Sequence, residues 1–495
     1  MAEEPPDPST VPRTPGGRLV RGLRGYLEEL AVGHPDALWR IDAPLSARYE
    51  ITALQQGLEA AGRYPVVVVE HPLLARGDPS SMAVVTNLQA SRVLAAAVLG
   101  VADHRRAAGE LAALMADPVD PLLVARAGAP GAERALVGAE VDLTDLPVLV
   151  QHELDPGPYL SAAHVTTVDP DSGIDNTAIQ RAWVRGPREL GLYPFARSHN
   201  MTNIAKWWAR GSDAPVALWI GHHPAVDVGA NQKIGYPASH WGRAGALARE
   251  PVRLMATLEF GEDLVVPADC EIVIEGVVRK DQWRAEGPFG EYTGYLGAQR
   301  PSPVVEVRAL SARAQPLYHD YGSGLADMLV PDNLMHESAL FEALRPVAPS
   351  VQAVHVPVSG RRFHCYIQLV EPGPGEARAA LEVALANRRI KHAIVVDEDV
   401  DVFDERSVLW ALATRVQWTR DVVVRTAMDC SPADPSLPVG VELSDKAGID
   451  ATLPVPLRPG VPRPAPAVIR PGGGYEPADL LARLAGGSAD RFISA

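Results

Sequence analysis

Lysine and cysteine are both scarce in this chain. The five lysines are Lys206, Lys233, Lys280, Lys391 and Lys446, so nearly all positive charge is arginine. The three cysteines, Cys270, Cys365 and Cys430, lie far apart and without CxxC spacing. That excludes a disulfide scaffold and a zinc ribbon, and it fits a reducing compartment. Basic charge is in deficit: 61 acids against 46 bases give a net charge of −15. With no basic excess to release counterions, no nucleic-acid partner is expected. No long hydrophobic run occurs either. The longest, Val93–Ala102, is bounded by Arg92 and Asp103 and falls short of the roughly 18 residues a membrane span needs. The N-terminus, MAEEPPDPSTVPRTPGGR, lacks an apolar core, so it reads as a flexible tail over 1–18 rather than a signal peptide. A cytoplasmic protein with no membrane contact is the expectation. Walker A, GxGxxG and HExxH patterns are missing, which removes the common nucleotide loops and zinc hydrolases. In DEDVDVFDE the acids alternate as in an EF-hand, but Val402 and Val408 stand where that loop needs glycine and glutamate.

What is present is a globular composition, 47% apolar and 22% charged over 495 residues, enough for two or three domains. Residues 19–120 predict an α/β region: helical leucine spacing from Leu19, then YPVVVVEHP, a β-branched run suited to a strand buried on both faces. SRVLAAAVLGVADHRRAAGELAALMADP continues at helical spacing. Over 121–325 short β-branched runs recur between Gly, Pro and Asp: YLSAAHVTTV, APVALWIG, PVRLMATLE, EIVIEGVVR, SPVVEVRALSA and QPLYHDYG. That texture predicts an antiparallel sheet or barrel, interrupted by the helix-like MTNIAKWWARG. A linker helix is expected over 326–345 and a second α/β unit over 346–455, from strand–helix–strand alternation. Residues 456–495 read as a Pro/Gly linker and a short final helix. The fold class is α/β, in several domains.

AEGPFGEYTGY is the most informative segment. Glu286 and Glu291 flank Gly-Pro-Phe-Gly, a tight turn that can bring both carboxylates to one cavity. Two acids held close cannot both ionise easily, so one can keep a proton near neutral pH. The same spacing also suits an exposed acidic loop. In DNTAIQRAWVRG, a strand would put Asn176, Ala178 and Gln180 on one face and Thr177, Ile179 and Arg181 on the other, offering an oxygen ligand and a fixed cation. His199, His222, His223 and His240 cluster in sequence without a metal-protease spacing.

Taken in order, these segments resemble the UbiD-like decarboxylases, which use prenylated FMN. The likeness rests on Asn176 with Arg181, His199 in RSHN, IGHHPA, DLVVPADCEIVIEG, EGPFGEYTGY, KHAIVVDEDVDVFD, WALATR and KAGIDAT, over roughly 150–455. It implies an N-terminal α/β region, a central split β-barrel that binds the flavin, and a C-terminal α/β domain that makes a homodimer or higher homo-oligomer. It implies reversible, non-oxidative decarboxylation of an aromatic, heteroaromatic or α,β-unsaturated carboxylic acid, releasing CO2, with a flavin prenyltransferase supplying the cofactor. Arg181, Glu286 and Glu291 match the catalytic network, with Glu291 as proton donor. Asn176 and His199 match ligands of a divalent cation, usually Mn2+, with K+ nearby. The stretch Asn176, Thr177, Ala178, Ile179, Gln180 and Arg181, together with Ser198, His199, His240 and Lys391, matches cofactor contacts. One departure stands out: where many relatives carry a glutamate ligand, SHWGRAGAL places His240, which removes a negative charge from the metal site. His319, Tyr321 and Leu437 are candidates for the substrate cavity. Two other readings remain open at this stage, an FMN oxidoreductase on a split barrel and a catalytically silent paralogue.

Overall fold

The computed structural model describes residues 22–438 and 440–453. The N-terminal tail and the Pro/Gly linker with its final helix fall outside the described residues.

The first part is assembled from α1 (Gly22–Gly33), β1 (Leu38–Ile41), α2 (Glu50–Ala60), β2 (Val66–Val69), β3 (Val84–Thr86), α3 (Arg92–Val98) and α4 (Ala107–Met115). β2 is the valine run, and all four of its residues are buried, as a strand covered on both faces requires. It pairs parallel with β1 and antiparallel with β3. The long apolar stretch after Ser91 forms two helices rather than one. Gly100 takes a positive φ of 80°, and the Asp103 side chain accepts from Arg105 N to start a new turn.

The middle part carries β4 (Tyr159–Leu160), β5 (His164–Val168), β6 (Asp175–Ile179), β7 (Ala182–Gly186), β8 (Glu189–Leu192), α5 (His199–Ala209), β9 (Ala214–Ile220), α6 (Pro224–Ala230), α7 (Trp241–Ala248), β10 (Ile272–Glu286) and β11 (Arg300–Ala312). Its main sheet runs in the order β6–β5–β9–β10–β11–β8–β7–β4, with Arg134–Val137 pairing onto β11. β4 and β6 stand at the two ends and are not paired with each other, so the sheet is open where a closed barrel would join. QPLYHDYG, expected in this sheet, goes elsewhere: Tyr318–His319 pairs parallel with β3 in the first part. The middle segment thus ends by stitching itself to the N-terminal sheet.

α8 (Ala326–Leu344) leads to the C-terminal part: β12 (Val351–His355), β13 (His364–Leu369), α9 (Glu376–Ala386), β14 (His392–Asp397), α10 (Glu405–Arg415), β15 (Val422–Asp429) and β16 (Leu443–Asp450). β12 and β13 form an antiparallel pair, and the sheet order is β12–β13–β14–β16–β15. All three cysteines are free and buried. Among the described residues no helix is long and apolar enough to cross a membrane.

Candidate active site

Glu286 is the last residue of β10, and the chain then reverses through a hairpin in which Phe289 pairs with Gly297 and Gly290 with Leu296. Glu291 opens the turn of that hairpin; its N–H donates to Tyr295 O at 2.9 Å. Two glycines make room there. Gly287 has a φ of 83°, which side-chained residues avoid, and a Cβ on Gly297 would lie 2.7 Å from Glu291 Oε1. Arg181 enters from the link between β6 and β7. Its Nε and Nη2 donate to Glu286 Oε1 and Oε2 at 2.9 and 3.0 Å, and its Nη1 donates to Glu291 Oε1 at 2.6 Å. One guanidinium therefore grips Glu286 with a planar fork and reaches Glu291 with the remaining arm. The Tyr193 ring centroid lies 4.2 Å from its central carbon and that of Phe289 5.4 Å, cation–π contacts that fix its plane.

The three charged groups are withdrawn from water. The side chains of Arg181, Glu286 and Glu291 are 9%, 0% and 15% exposed. Burial raises the Glu291 carboxyl above its ordinary value, Arg181 opposes the rise, and Glu286 adds to it. Burial works against the charge on Arg181, yet Glu291 and Glu286 together push its pKa up, so it stays a cation. Tyr159 lies behind this set. Its hydroxyl accepts from Gly287 N at 3.1 Å, its ring stacks on Phe289 at 4.1 Å, and burial followed by the nearby Glu286 charge raises its pKa. The arrangement holds two carboxylates of unequal character: one saturated by the fork, the other with an oxygen Arg181 does not touch.

The second cluster begins on β6. Asn176 Nδ2 donates to Asn200 Oδ1 at 2.7 Å, and Asn200 Nδ2 donates to Gln180 Oε1 at 3.2 Å, which puts Asn176 and Gln180 on one face as the strand parity predicts. Thr177 points the other way, its Oγ1 accepting from Thr166 Oγ1 at 3.0 Å. Ala178 is half-buried, and Ile179 N donates to Asn231 Oδ1 at 3.2 Å. Ser198 is the N-cap of α5, accepting from Met201 N, and His199 is the first residue of that helix. His240 is buried; its Nε2 bonds to Gln232 O at 2.9 Å while its Nδ1 has no partner. A histidine that gives one ring N–H to a backbone carbonyl and leaves the other nitrogen bare is oriented as a metal-ligating imidazole is. Burial lowers its pKa to about 4, with Lys233 and His199 contributing, so the bare nitrogen stays unprotonated at neutral pH. Among the described residues no three His, Cys, Asp or Glu side chains gather as a metal site; the Asn176–His199–His240 set offers an amide oxygen and two imidazoles instead. Those donor types suit a divalent cation, and the charge of Lys233 lowers the pKa of both histidines.

The remaining expected residues are distributed differently. Lys391 Nζ donates to Asp434 Oδ2 at 2.9 Å and to Ser436 Oγ at 2.7 Å, so its charge is already matched inside the C-terminal part. His319 and Tyr321 are buried against each other with ring centroids 4.7 Å apart, and burial lowers the His319 pKa to about 3. Leu437 is half-buried on the loop between β15 and β16. Sequence reasoning missed Asn200, the hub of the amide network, although it follows the candidate ligand His199 directly. It also missed Lys233, whose rarity among arginines was the available signal.

The chain matches three domain families in order. Residues 33–115 match the 3-octaprenyl-4-hydroxybenzoate carboxy-lyase (UbiD) N-terminal domain, 123–325 its Rift-related domain, and 332–451 its C-terminal domain. A phenolic acid decarboxylase of Escherichia coli O157:H7 is 33% identical over 343 residues, 67% of this chain and 71% of that one. Among solved structures, the UbiD-class enzyme HmfF from Pelotomaculum thermopropionicum in complex with FMN superposes with a TM-score of 0.84 at 34% identity, covering 92% of this chain and 99% of that one. An evolved dimeric form of HmfF in complex with prFMN gives a TM-score of 0.81 at 32% identity, covering 93% and 100%.

Proposed function

The chain belongs to the UbiD family and is a carboxy-lyase, and from that premise we propose that it carries out the reversible, non-oxidative decarboxylation of an aromatic, heteroaromatic or α,β-unsaturated acid with Glu291 as proton donor. The observation that carries this reading is one arginine shared by two carboxylates of which burial raises the pKa of the reachable one. Prenylated FMN, when bound, supplies an electrophile that takes up the electron pair left when CO2 departs. Asn176, His199 and His240 would hold the divalent cation, manganese in our reading, with potassium nearby. Thr177, Ala178, Ile179, Gln180 and Ser198 would contact the flavin as the cofactor-binding stretch of residues 121–325. Lys391, together with Lys233, whose charge acts on both candidate histidine ligands, would add positive charge at the flavin phosphate.

The protein's own work is then proton handling. Arg181 fixes Glu286 through two parallel bonds and Glu291 through one oxygen. The free oxygen of Glu291 carries the proton. The bond between the substrate carbon and its carboxylate breaks, CO2 leaves, and the Glu291 proton closes the new C–H bond. Its remaining exposure lets water return a proton. In carboxylation the same steps run backwards.

The test is to co-express the chain with a flavin prenyltransferase, identify the extracted flavin by absorbance and mass, and assay a panel of carboxylic acids in D2O. Prenylated FMN, CO2 release and one deuterium per product molecule are expected, with loss of flavin and rate on chelation. Plain FMN with reductase activity would replace this reading by the oxidoreductase one. A homodimer or higher homo-oligomer is expected by light scattering.

A further inference from the structure

Gly290, the residue before Glu291, is gripped by two side chains. A Cβ there would lie 2.5 Å from His152 Cε1 and 3.1 Å from Ser323 Oγ, so the position has room only for glycine. The Ser323 hydroxyl donates to Gly290 O at 2.5 Å. Ser323 is itself held through its backbone N–H, which donates to Gln151 Oε1 at 2.9 Å. The other end of that amide, Gln151 Nε2, donates to Asp320 Oδ1 at 2.8 Å and to Tyr321 O at 2.7 Å. Asp320 is fixed in turn on β3 of the first part: its N–H donates to Val85 O at 3.1 Å, and its O accepts from Thr86 Oγ1 at 3.0 Å. A line of hydrogen bonds therefore runs from the first part's sheet, through Asp320, Gln151 and Ser323, to the turn that carries Glu291.

All three side chains on this line are buried. In such surroundings a hydrogen bond keeps its geometry, because a buried donor or acceptor that loses its partner finds no water to replace it. Burial lifts the Asp320 carboxyl to about 8, so it keeps its proton at neutral pH and the line joins neutral partners. The charged groups that act on Glu291 are Arg181, Glu286 and Arg300, none of them on the line. Its effect on Glu291 is therefore one of place rather than charge. The hairpin's own pairs, Phe289 with Gly297 and Gly290 with Leu296, move with the hairpin and cannot fix where it lies relative to Arg181. The Ser323 bond can, since it ties the backbone next to Glu291 to a different segment. A reacting group displaced by about 1 Å can cost a reaction on the order of 10²-fold.

We propose that Ser323 and Gln151 are positioning residues for the proton donor: they transmit the location of the first part's sheet to Gly290 O, and so hold Glu291 Oε1 at its 2.6 Å contact with Arg181 Nη1. This rests on the reading of Glu291 as proton donor. The first part then serves the chemistry although none of Arg181, Glu286 and Glu291 belongs to it.

The test is a set of double-mutant cycles on the holoenzyme. Ser323→Ala and Gln151→Met should each lower kcat by roughly 10-fold with KM and flavin occupancy retained. The two together should lose little more than either alone, because both cut one line. In a Glu291→Gln background Ser323→Ala should cost nothing further; if Gln151→Met does not fold, this second cycle carries the test. Another readout needs no turnover. The infrared carboxyl band of Glu291, identified by its absence from Glu291→Gln, reports that group's own titration. Arg181 opposes the rise that burial and Glu286 impose on Glu291, so a looser Arg181 contact in Ser323→Ala should move the midpoint of this band to higher pH. An unchanged kcat with an unmoved midpoint would overturn the proposal. A Ser323→Ala loss that persists in full beside Glu291→Gln would overturn it as well, as the mark of general damage, and so would a loss carried by KM or by flavin release. Should Glu291→Gln itself keep the wild-type rate while Ser323→Ala still moves the midpoint, the proton-donor reading falls and the positioning line stands.

Discussion

Glu291 and Glu286 are the same residue type five positions apart, and their surroundings set them to different work. Glu286 has both oxygens in the Arg181 fork, whereas Glu291 has one. Glu291→Gln should lower kcat by about 10²- to 10⁴-fold while flavin stays bound, because an amide cannot deliver the proton. The pH dependence has a definite sign. Burial raises the Glu291 pKa, the acid form is the working form, and kcat should fall as pH climbs through that raised value. A rate that climbs with pH over the same interval would make Glu291 a base. Arg181→Lys should be nearly as damaging as Arg181→Ala, since an ammonium cannot hold Glu286 by two parallel bonds and reach Glu291 as well. Equal rates for wild type and the lysine variant would show that charge alone suffices. At this scale Arg181, Glu286 and Glu291 were legible only as members of an ordered set of motifs. The spacing of the two glutamates alone favoured an exposed acidic loop, because the partners that hold Glu286, Arg181 and Tyr159, lie far upstream on other segments.

Among the elements, the hairpin after β10 is the one whose shape is chemistry. Gly297 faces Glu291 across it so closely that a methyl group would fall 2.7 Å from the carboxyl oxygen. Gly297→Ala should therefore move the Glu291 side chain off Arg181 and lower kcat by roughly 10- to 100-fold, with thermal stability close to wild type. Unchanged turnover would show that Glu291 tolerates displacement. Strands and helices with strong local patterns were readable: the valine run of β2 and the helix-like segment of α5 form where their local patterns predict, and strands alternate with helices over 346–455. The misplacements have local or long-range causes. The stretch from Ser91 reads as continuous because Gly100 hides its positive φ in an apolar background. Tyr318–His319 joins β3 through a partner more than two hundred residues away, and no local pattern carries that information.

Across the whole molecule, one buried carboxylate on α8 ties the first part to the C-terminal part. Glu337 of α8 takes Arg92 from α3 through bonds of 2.9 and 2.7 Å, His355 Nδ1 at 3.0 Å, and the backbone N–H of Val356 at 2.8 Å. Burial opposes its ionisation, but Arg92 and then His355 hold its pKa down to about 2. A depressed carboxyl pKa stabilises the fold above the unfolded value near 4.3 and loses that contribution as pH falls toward 2. Glu337→Gln should cost about 3–5 kcal/mol, by leaving Arg92 buried without its partner, and should flatten the acid limb of thermal stability between those pH values. A variant with an unchanged melting temperature and an unchanged acid limb would remove Glu337 from this role. Such a tie could not be read from sequence, since its members come from three separate segments and none has a local signature. The buried cysteines carry a practical consequence. Burial pushes the Cys270 and Cys365 thiols well above their ordinary pKa, and Cys430 is 3% exposed, so thiol-directed dyes find no native anchor on the folded protein. Cysteines introduced at Leu154 and Trp418, both well exposed, would then carry a fluorophore pair on an otherwise silent background. Their energy transfer would report any change in the distance between the middle and C-terminal parts when an acid binds.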